Sequence, residues 1–484
     1  MADENTESKE NKKEYLNDQW TNAVDVLGRE HFTKTIRDLI LRVDPPFALS
    51  VNGRWGTGKT SILHALMTSL GGEPLHYVNS MNEKEEESGE SNELPDTLKL
   101  TGDINEKKEK GELLTVWFNP WQYQHEENPL ISLLHEIQEH IKYEAKAWED
   151  AKETLKSGLK ATIYSLGDLA DSAPSLLPGG GKLKFFGGIT KRMEEYSTQR
   201  YKDEFQQKTD AQRFVLQFEQ AIKQTVGENG KLVIFIDDLD RCHDEAVFKL
   251  LESIKLYLSS RNCVFIFGLD AGHVETAISR VTEYSYQESV RYVDKLFQVR
   301  LDLPEPDEKQ IERFINEQWK LIFSDNQKLS VNNIPLLCEH LPTNPRFIKN
   351  FLNGLIFYSE LWTVLNPEKD FNPQQFLLVQ LFRAFYPDAY ELLKQDIKHI
   401  KNINALALNS ADIQSELQHY LYTIFENPVY DETALSTAFD TQMPKERFQQ
   451  IKTSVPHAKA KNSLLTSFCS AFEADIDSLR SYLL

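Results

Sequence analysis

Short apolar runs without polar alternation recur in the first part of the chain. They are Phe47-Ala48-Leu49-Ser50-Val51, Lys231-Leu232-Val233-Ile234-Phe235-Ile236 and Cys263-Val264-Phe265-Ile266-Phe267-Gly268-Leu269. Such runs are the mark of strands buried on both faces of a parallel sheet. Around them the spacing turns helical, over about 18–41, 61–67 and 246–259. Asp44-Pro45-Pro46 ends the first helix, because a residue before proline is driven to extended backbone. From Leu303-Pro304-Glu305-Pro306 onward the pattern is helical to the end. The expected fold class is therefore α/β, a parallel sheet flanked by helices, with an all-helical C-terminal region. The expected divisions are a disordered tail over 1–16, the α/β core over 17–303, a helical sensor or lid region over 304–371 and a helical region over 372–484. The core carries two insertions. The first, 80–112, is rich in Glu and Lys with almost no aromatics and reads as a solvated loop. The second, 155–198, contains an apolar stretch interrupted by Asp168 and Asp171, then Pro178-Gly179-Gly180-Gly181. Those interruptions argue against a membrane span and leave an interfacial or partner-binding segment open.

Between the first strand and the helix at 61–67 stands Gly53-Arg54-Trp55-Gly56-Thr57-Gly58-Lys59-Thr60, followed by Ser61. This is G-x-x-x-x-G-K-[ST] in its proper setting, the phosphate-cradling loop of a P-loop NTPase. The glycines let successive N–H groups point at phosphate oxygens, and the helix N-terminus adds its positive end. Lys59 is expected to reach the β- and γ-phosphates and Thr60 to ligate Mg²⁺. The run at 231–236 ends in Asp237-Asp238. Ligands of open parallel sheets bind beyond the carboxyl ends of the strands, so Asp237 is expected beside the loop as the Mg²⁺ carboxylate. Asp238 is then placed to orient or deprotonate the attacking water. Asp240 reads as either part of that acidic site or a helix cap, and Asp270 as either a γ-phosphate sensor or a helix cap.

Composition narrows the class. A hydrophobic share of 40% with no run of the ~20 apolar residues that span a bilayer describes a globular chain. The polar, charged stretch 1–13 reads as neither signal nor transit peptide. Four scattered cysteines form no metal or disulfide spacing, which points to a reducing compartment. The expected location is the cytoplasm, with peripheral contact at the inner membrane left open. A net charge of −20 argues against non-specific adhesion to nucleic acid. The alternative reading, a nucleic-acid-stimulated motor or helicase-like ATPase, would need a basic, aromatic-bearing channel, and the acidic balance gives it little support.

Further stretches carry a resemblance. Val116-Trp117-Phe118-Asn119-Pro120-Trp121-Gln122-Tyr123 runs into an F-N-P-W turn, and Asp237-Asp238-Leu239-Asp240-Arg241-Cys242 extends the acidic motif to D-D-L-D-R-C. Thr343-Asn344-Pro345-Arg346-Phe347-Ile348-Lys349 follows downstream. Together with the G-x-W-G-x-G-K-T loop, over about residues 24–355, the chain resembles the KAP family of P-loop NTPases, grouped with STAND-type signalling ATPases. The resemblance implies an additional-strand, catalytic-acid core, with ATP and Mg²⁺ as ligands. It implies a sensor-like arginine, which falls on Arg346, while Arg291 reads as an arginine finger or a surface charge. It also implies an ATP-hydrolysing switch in phage defence, acting as a homo-oligomer with protein partners. No N-K-x-D guanine motif occurs, which favours ATP over GTP. Two features depart from the family: the 155–198 insertion is too polar for its usual transmembrane pair, and Arg54 stands where an acid is common. For Asn119 and Trp121 spacing alone supports no chemical role; a strand-end Asn near the γ-phosphate could position water, and Trp121 is expected to pack the turn.

Overall fold

The apolar runs pair with one another into a single sheet. Its strands are β1 (Phe47–Asn52), β2 (Leu113–Phe118), β3 (Lys231–Ile236), β4 (Cys263–Leu269) and β5 (Val299–Asp302). All pairings are parallel, in the spatial order β2-β3-β4-β1-β5. The added strand is β4, which lies between the strand feeding the phosphate loop and the strand ending at Asp237. The computed structural model describes residues 15–17, 26–72, 94–110, 112–125, 132–137, 140, 218–219, 222–223, 225–255, 261–323, 329–409, 462–472 and 476–484. The chain divides into two compact units, Gln19–Glu305, and Met1–Asp18 with Pro306–Leu484.

Alternate side chains of each strand serve opposite faces, which is why the runs are apolar throughout. Val233, Phe235, Val264 and Ile266 pack with α1 (Glu30–Arg42) and α2 (Lys59–Ser69) on one face. Leu232, Ile234, Phe265 and Phe267 pack on the other face with α4 (Asp244–Lys255) and α5 (Ala271–Val281). Every residue of β4 is buried. The buried His64 of α2 stacks on Trp117 of β2, ring centroids 4.0 Å apart, and burial lowers its pKa to about 3, so it stays neutral.

Two expectations need correcting. The first helix does not fill 18–41: residues 26–28 form a turn with Gly28 at φ +66°, and α1 starts only at Glu30. Its end is as expected, and Lys231 Nζ binds the carbonyls of Ile40 and Leu41 there at 3.1 and 2.8 Å. The insertion at 80–112 is not a solvated loop throughout. Its second half holds a 3₁₀ turn, Asp96–Leu98, and α3 (Gly102–Glu109), seated by the buried Leu98 and Ile104. Two apolar residues suffice to seat a short segment, and the charged average around them hides the fact. The insertion at 155–198 lies outside the described residues. Among the described residues no helix is long and apolar enough to cross a membrane.

The first unit continues through α6 (Tyr286–Asp294) into β5. In the second unit the described elements are helical: α7 (Glu308–Phe323), α8 (Ile334–His340), α9 (Pro345–Leu365), α10 (Pro373–Phe385), α11 (Pro387–Gln395), α12 (His399–Asn409), α13 (Asn462–Phe472) and α14 (Ile476–Tyr482). Phe382 of α10 stacks on Phe468 of α13 at 4.0 Å, and Trp362 of α9 on Tyr482 of α14 at 5.5 Å. Residues on both sides of position 371 thus share one core. Leu16 is buried in this unit, exchanging two 2.7 Å backbone hydrogen bonds with the Asn353 side chain. The rest of the expected tail, 1–14, lies outside the described residues.

Ile266 sits in the central strand with no exposure. Truncating it leaves a cavity between two well-packed layers, so Ile266→Ala is expected to destabilise the first unit by ~2–5 kcal/mol. The denaturant midpoint followed by circular dichroism checks this; an unchanged midpoint contradicts the packing described.

Candidate nucleotide site

Parallel pairing brings the carboxyl ends of β1, β2, β3 and β4 to one edge, and the chemistry-bearing residues follow those ends directly. Gly53 N–H donates to the Leu269 carbonyl at 3.1 Å, starting the loop beside β4. Thr57 Oγ1 closes the loop on the Arg54 carbonyl at 2.6 Å. Gly58 takes φ +97°, a left-handed conformation that suits glycine, and hands over to α2. No side chain caps that helix. Its first-turn amides at Lys59, Thr60 and Ser61 thus face the loop with the positive end of the helix dipole behind them.

Asp237, following β3, is buried, and neither of its carboxylate oxygens has a hydrogen bond of normal geometry among the described residues. Burial, then the adjacent charge of Asp238, raises its pKa, while Thr60 and Lys59 oppose the rise. A buried carboxylate so weakly hydrogen-bonded is costly. A divalent cation would relieve it, and Thr60 at the neighbouring helix start is the second side chain that could share such an ion. Among the described residues no group of three or more His, Cys, Asp or Glu could hold a metal alone. A site completed by phosphate oxygens and water is therefore the kind that fits.

Asp238 has φ +59°, unusual for a residue with a side chain and typical of strained functional positions. Asn119, at the end of β2, donates Nδ2–H to Asp238 Oδ2 at 2.9 Å, and Arg241 Nε pairs with Oδ1 at 2.7 Å. Burial raises the Asp238 pKa, and Arg241 followed by Asn119 pull against it. The Arg241 guanidinium lies 5.7 Å from the Trp55 ring centroid, a cation–π contact joining the loop to the acidic turn. Lys59 Nζ donates to the Gly53 carbonyl at 2.8 Å and to Asp240 Oδ2 at 3.1 Å.

Several residues fall on one of two readings that spacing left open, or take places it did not assign. Asp240 caps no helix; its carboxylate pairs with Lys59 and accepts the Asp270 N–H at 3.1 Å. Of the two readings left open for Asp270, the cap is the one seen: it caps α5, accepting from His273 N–H at 3.4 Å. Trp121 is 47% exposed and does not pack the turn; its N–H is taken by Asn119 Oδ1 at 3.1 Å. Arg29, 3% exposed, donates to the Thr57 carbonyl and, at 3.4 Å, to the Pro304 carbonyl. Burial lowers its pKa to about 10. No pattern of spacing singled out Arg29. Gly268 was also missed, although a glycine inside an apolar strand is the signal of close approach that could have found it. A Cβ there would stand 2.8 Å from Asp237 Oδ1. Arg346 belongs to the second unit, half-buried in the first turn of α9 behind the Asn344 cap.

A parallel sheet with an added strand, and a phosphate loop facing a buried carboxylate across it, define a P-loop NTPase. Residues 29–361 match the family model described as the KAP family P-loop domain, and the chain belongs to the KAP family. The chain is also 29% identical over 175 residues to the uncharacterized protein MJ0182 of Methanocaldococcus jannaschii, a match covering 32% of this chain and 88% of that protein.

Gly268→Ala forces a methyl group against the Asp237 carboxylate. Nucleotide binding in the presence of Mg²⁺ is expected to weaken about tenfold or more, the scale of a lost charged contact. Binding titrations of the folded variant check this, and an unchanged affinity means the strand accommodates the methyl without moving Asp237.

Proposed function

We propose that this chain is an Mg²⁺-dependent ATPase working as a molecular switch. The observation that carries the reading is Asp237: a buried carboxylate with no hydrogen bond of normal geometry among the described residues, beside a helix N-terminus that no side chain caps. In this reading the loop amides from Gly56 to Ser61 and the Lys59 ammonium bind the phosphates. Thr60 and Asp237 would hold Mg²⁺, which when bound neutralises phosphate charge. Asp238 accepts a proton from the attacking water as the water oxygen bonds to the γ-phosphorus and the bond to the bridging oxygen breaks. Asn119 and Arg241 fix the direction of that carboxylate. Arg346 takes the role of nucleotide sensor that the family resemblance implies, since any nucleotide switch requires a group that distinguishes the two states. Cytoplasmic antiviral defence, with a homo-oligomer and protein partners, is the proposed setting, and it rests on the family resemblance alone.

Lys59→Ala is expected to abolish nucleotide binding or turnover with the fold intact. Asp238→Asn should keep Mg·ATP binding while hydrolysis falls ~10²–10⁴-fold, the usual loss for a general base. Release of phosphate and equilibrium binding, measured on both variants, separate the two roles. Normal hydrolysis by Lys59→Ala sinks the reading.

Arg346→Ala is expected to reduce hydrolysis and flatten any ATP-dependent change in oligomer size, with only modest loss of binding. Size-exclusion runs with an ATP analogue and with ADP test this. The same nucleotide-dependent shift and turnover as wild type make Arg346 a surface charge.

A further inference from the structure

The phosphate-loop lysine already has an anionic partner inside the protein. Lys59 Nζ and Asp240 Oδ2 stand 3.1 Å apart, with side chains only 9% and 11% exposed. An ammonium has three donors. One goes to Asp240, one to the Gly53 carbonyl at 2.8 Å, and the Arg54 carbonyl lies further off at 3.4 Å. Asp240 is anchored independently, because the same Oδ2 accepts the backbone N–H of Asp270 at 3.1 Å. The other cation of the acidic turn, Arg241, is paired with Asp238 at 2.7 Å.

We propose that Asp240 is an internal competitor for Lys59 that weakens nucleotide binding and sets its affinity. The proposal rests on the reading of the Gly53–Thr60 loop as a phosphate site. Phosphate oxygens can engage Lys59 fully only by drawing its ammonium off Asp240. Asp240 can follow only by giving up the Asp270 amide; held there, it keeps that one hydrogen bond among the described residues. A poorly hydrated carboxylate then stands near the incoming phosphates without its cation, and both the lost pairing and the repulsion oppose binding. When the phosphate leaves, Lys59 returns to Asp240, which favours release. Ligands whose phosphate chain reaches Lys59 are the ones Asp240 works against.

Asp240→Asn tests this cleanly, because asparagine keeps an acceptor for the Asp270 N–H and removes only the charge. Binding of a fluorescent ADP to the full-length chain is titrated with a chelator present, so that Lys59 is the main phosphate cation. The variant is expected to bind about tenfold tighter, the low end of the contribution of a hydrogen bond to a charged group. Asp240→Glu keeps the charge and is expected to stay near the wild-type affinity. Asp240→Ser carries the same expectation as Asp240→Asn if the latter fails to fold by circular dichroism. An affinity unchanged or weakened in Asp240→Asn, with Lys59→Ala losing binding, overturns the competitor while leaving the phosphate-loop reading intact. A gain in Asp240→Glu as large as in Asp240→Asn assigns the effect to loosened packing and also overturns it. If Lys59→Ala binds like wild type, the loop reading fails and the proposal falls with it.

Discussion

Burying a carboxylate at the tip of a parallel strand is the constraint on which the first unit turns. Asp237 can sit there only because β4 offers Gly268 beside it, where a single methyl would stand 2.8 Å from Oδ1. It stays there because β3 is clamped between β2 and β4 along its length, with the Asp237 N–H itself held by the Phe118 carbonyl at 3.1 Å. A desolvated anion of this kind is a standing cost to the fold. Strands buried on both faces supply the rigidity that keeps such a group from relaxing into water. The stability of the layers and the poise of the site are in this sense one property.

The acidic turn after Asp237 distributes the remaining charges in pairs. Asp238 faces Arg241, Asp240 faces Lys59, and the two pairs share no hydrogen-bonding atom. Crowding three carboxylates into four residues requires the backbone to fan them apart, and the left-handed Asp238 does so. With Asp238 turned back, its side chain meets Asn119 across the sheet edge from β2, while Asp240 turns toward the phosphate loop. The strained residue is the pivot that gives neighbouring acids different environments.

How much of this was legible in the sequence depends on the kind of signal. The strands at Phe47, Lys231 and Cys263 are unbroken apolar runs, and the loop between Gly53 and Thr60 is a fixed pattern with a mechanism, so both could be read directly. Side-chain partners depend on which strand tips meet, and strand order is not written in a local pattern. That is why Asn119 had no assigned partner until β2 was seen to pair with β3, and why Asp240 stayed open between the acidic site and a helix cap. The start of α1 was misjudged because periodicity ran through Gly28, where the backbone turns instead. Leu98 and Ile104 were missed for the opposite reason, being too few to show above the charged residues around them.

Arg29 joins two parts of the first unit that sequence keeps far apart. Its buried guanidinium holds the Thr57 carbonyl of the phosphate loop and, from its other nitrogen, the Pro304 carbonyl just past β5. Leu303 N–H is tied in turn to the Asn52 carbonyl at 2.8 Å, at the point where β1 enters the loop. The segment through which the chain leaves the sheet is therefore tied to the residue that enters the loop, Asn52, and, through Arg29, to Thr57 within it. A change in the loop large enough to move Thr57 must either break the Arg29 contact or carry residue 304 with it. Both partners of this arginine are neutral carbonyls, which grip less tightly than carboxylates. The segment leaving the sheet is thus tied to the phosphate loop through neutral acceptors.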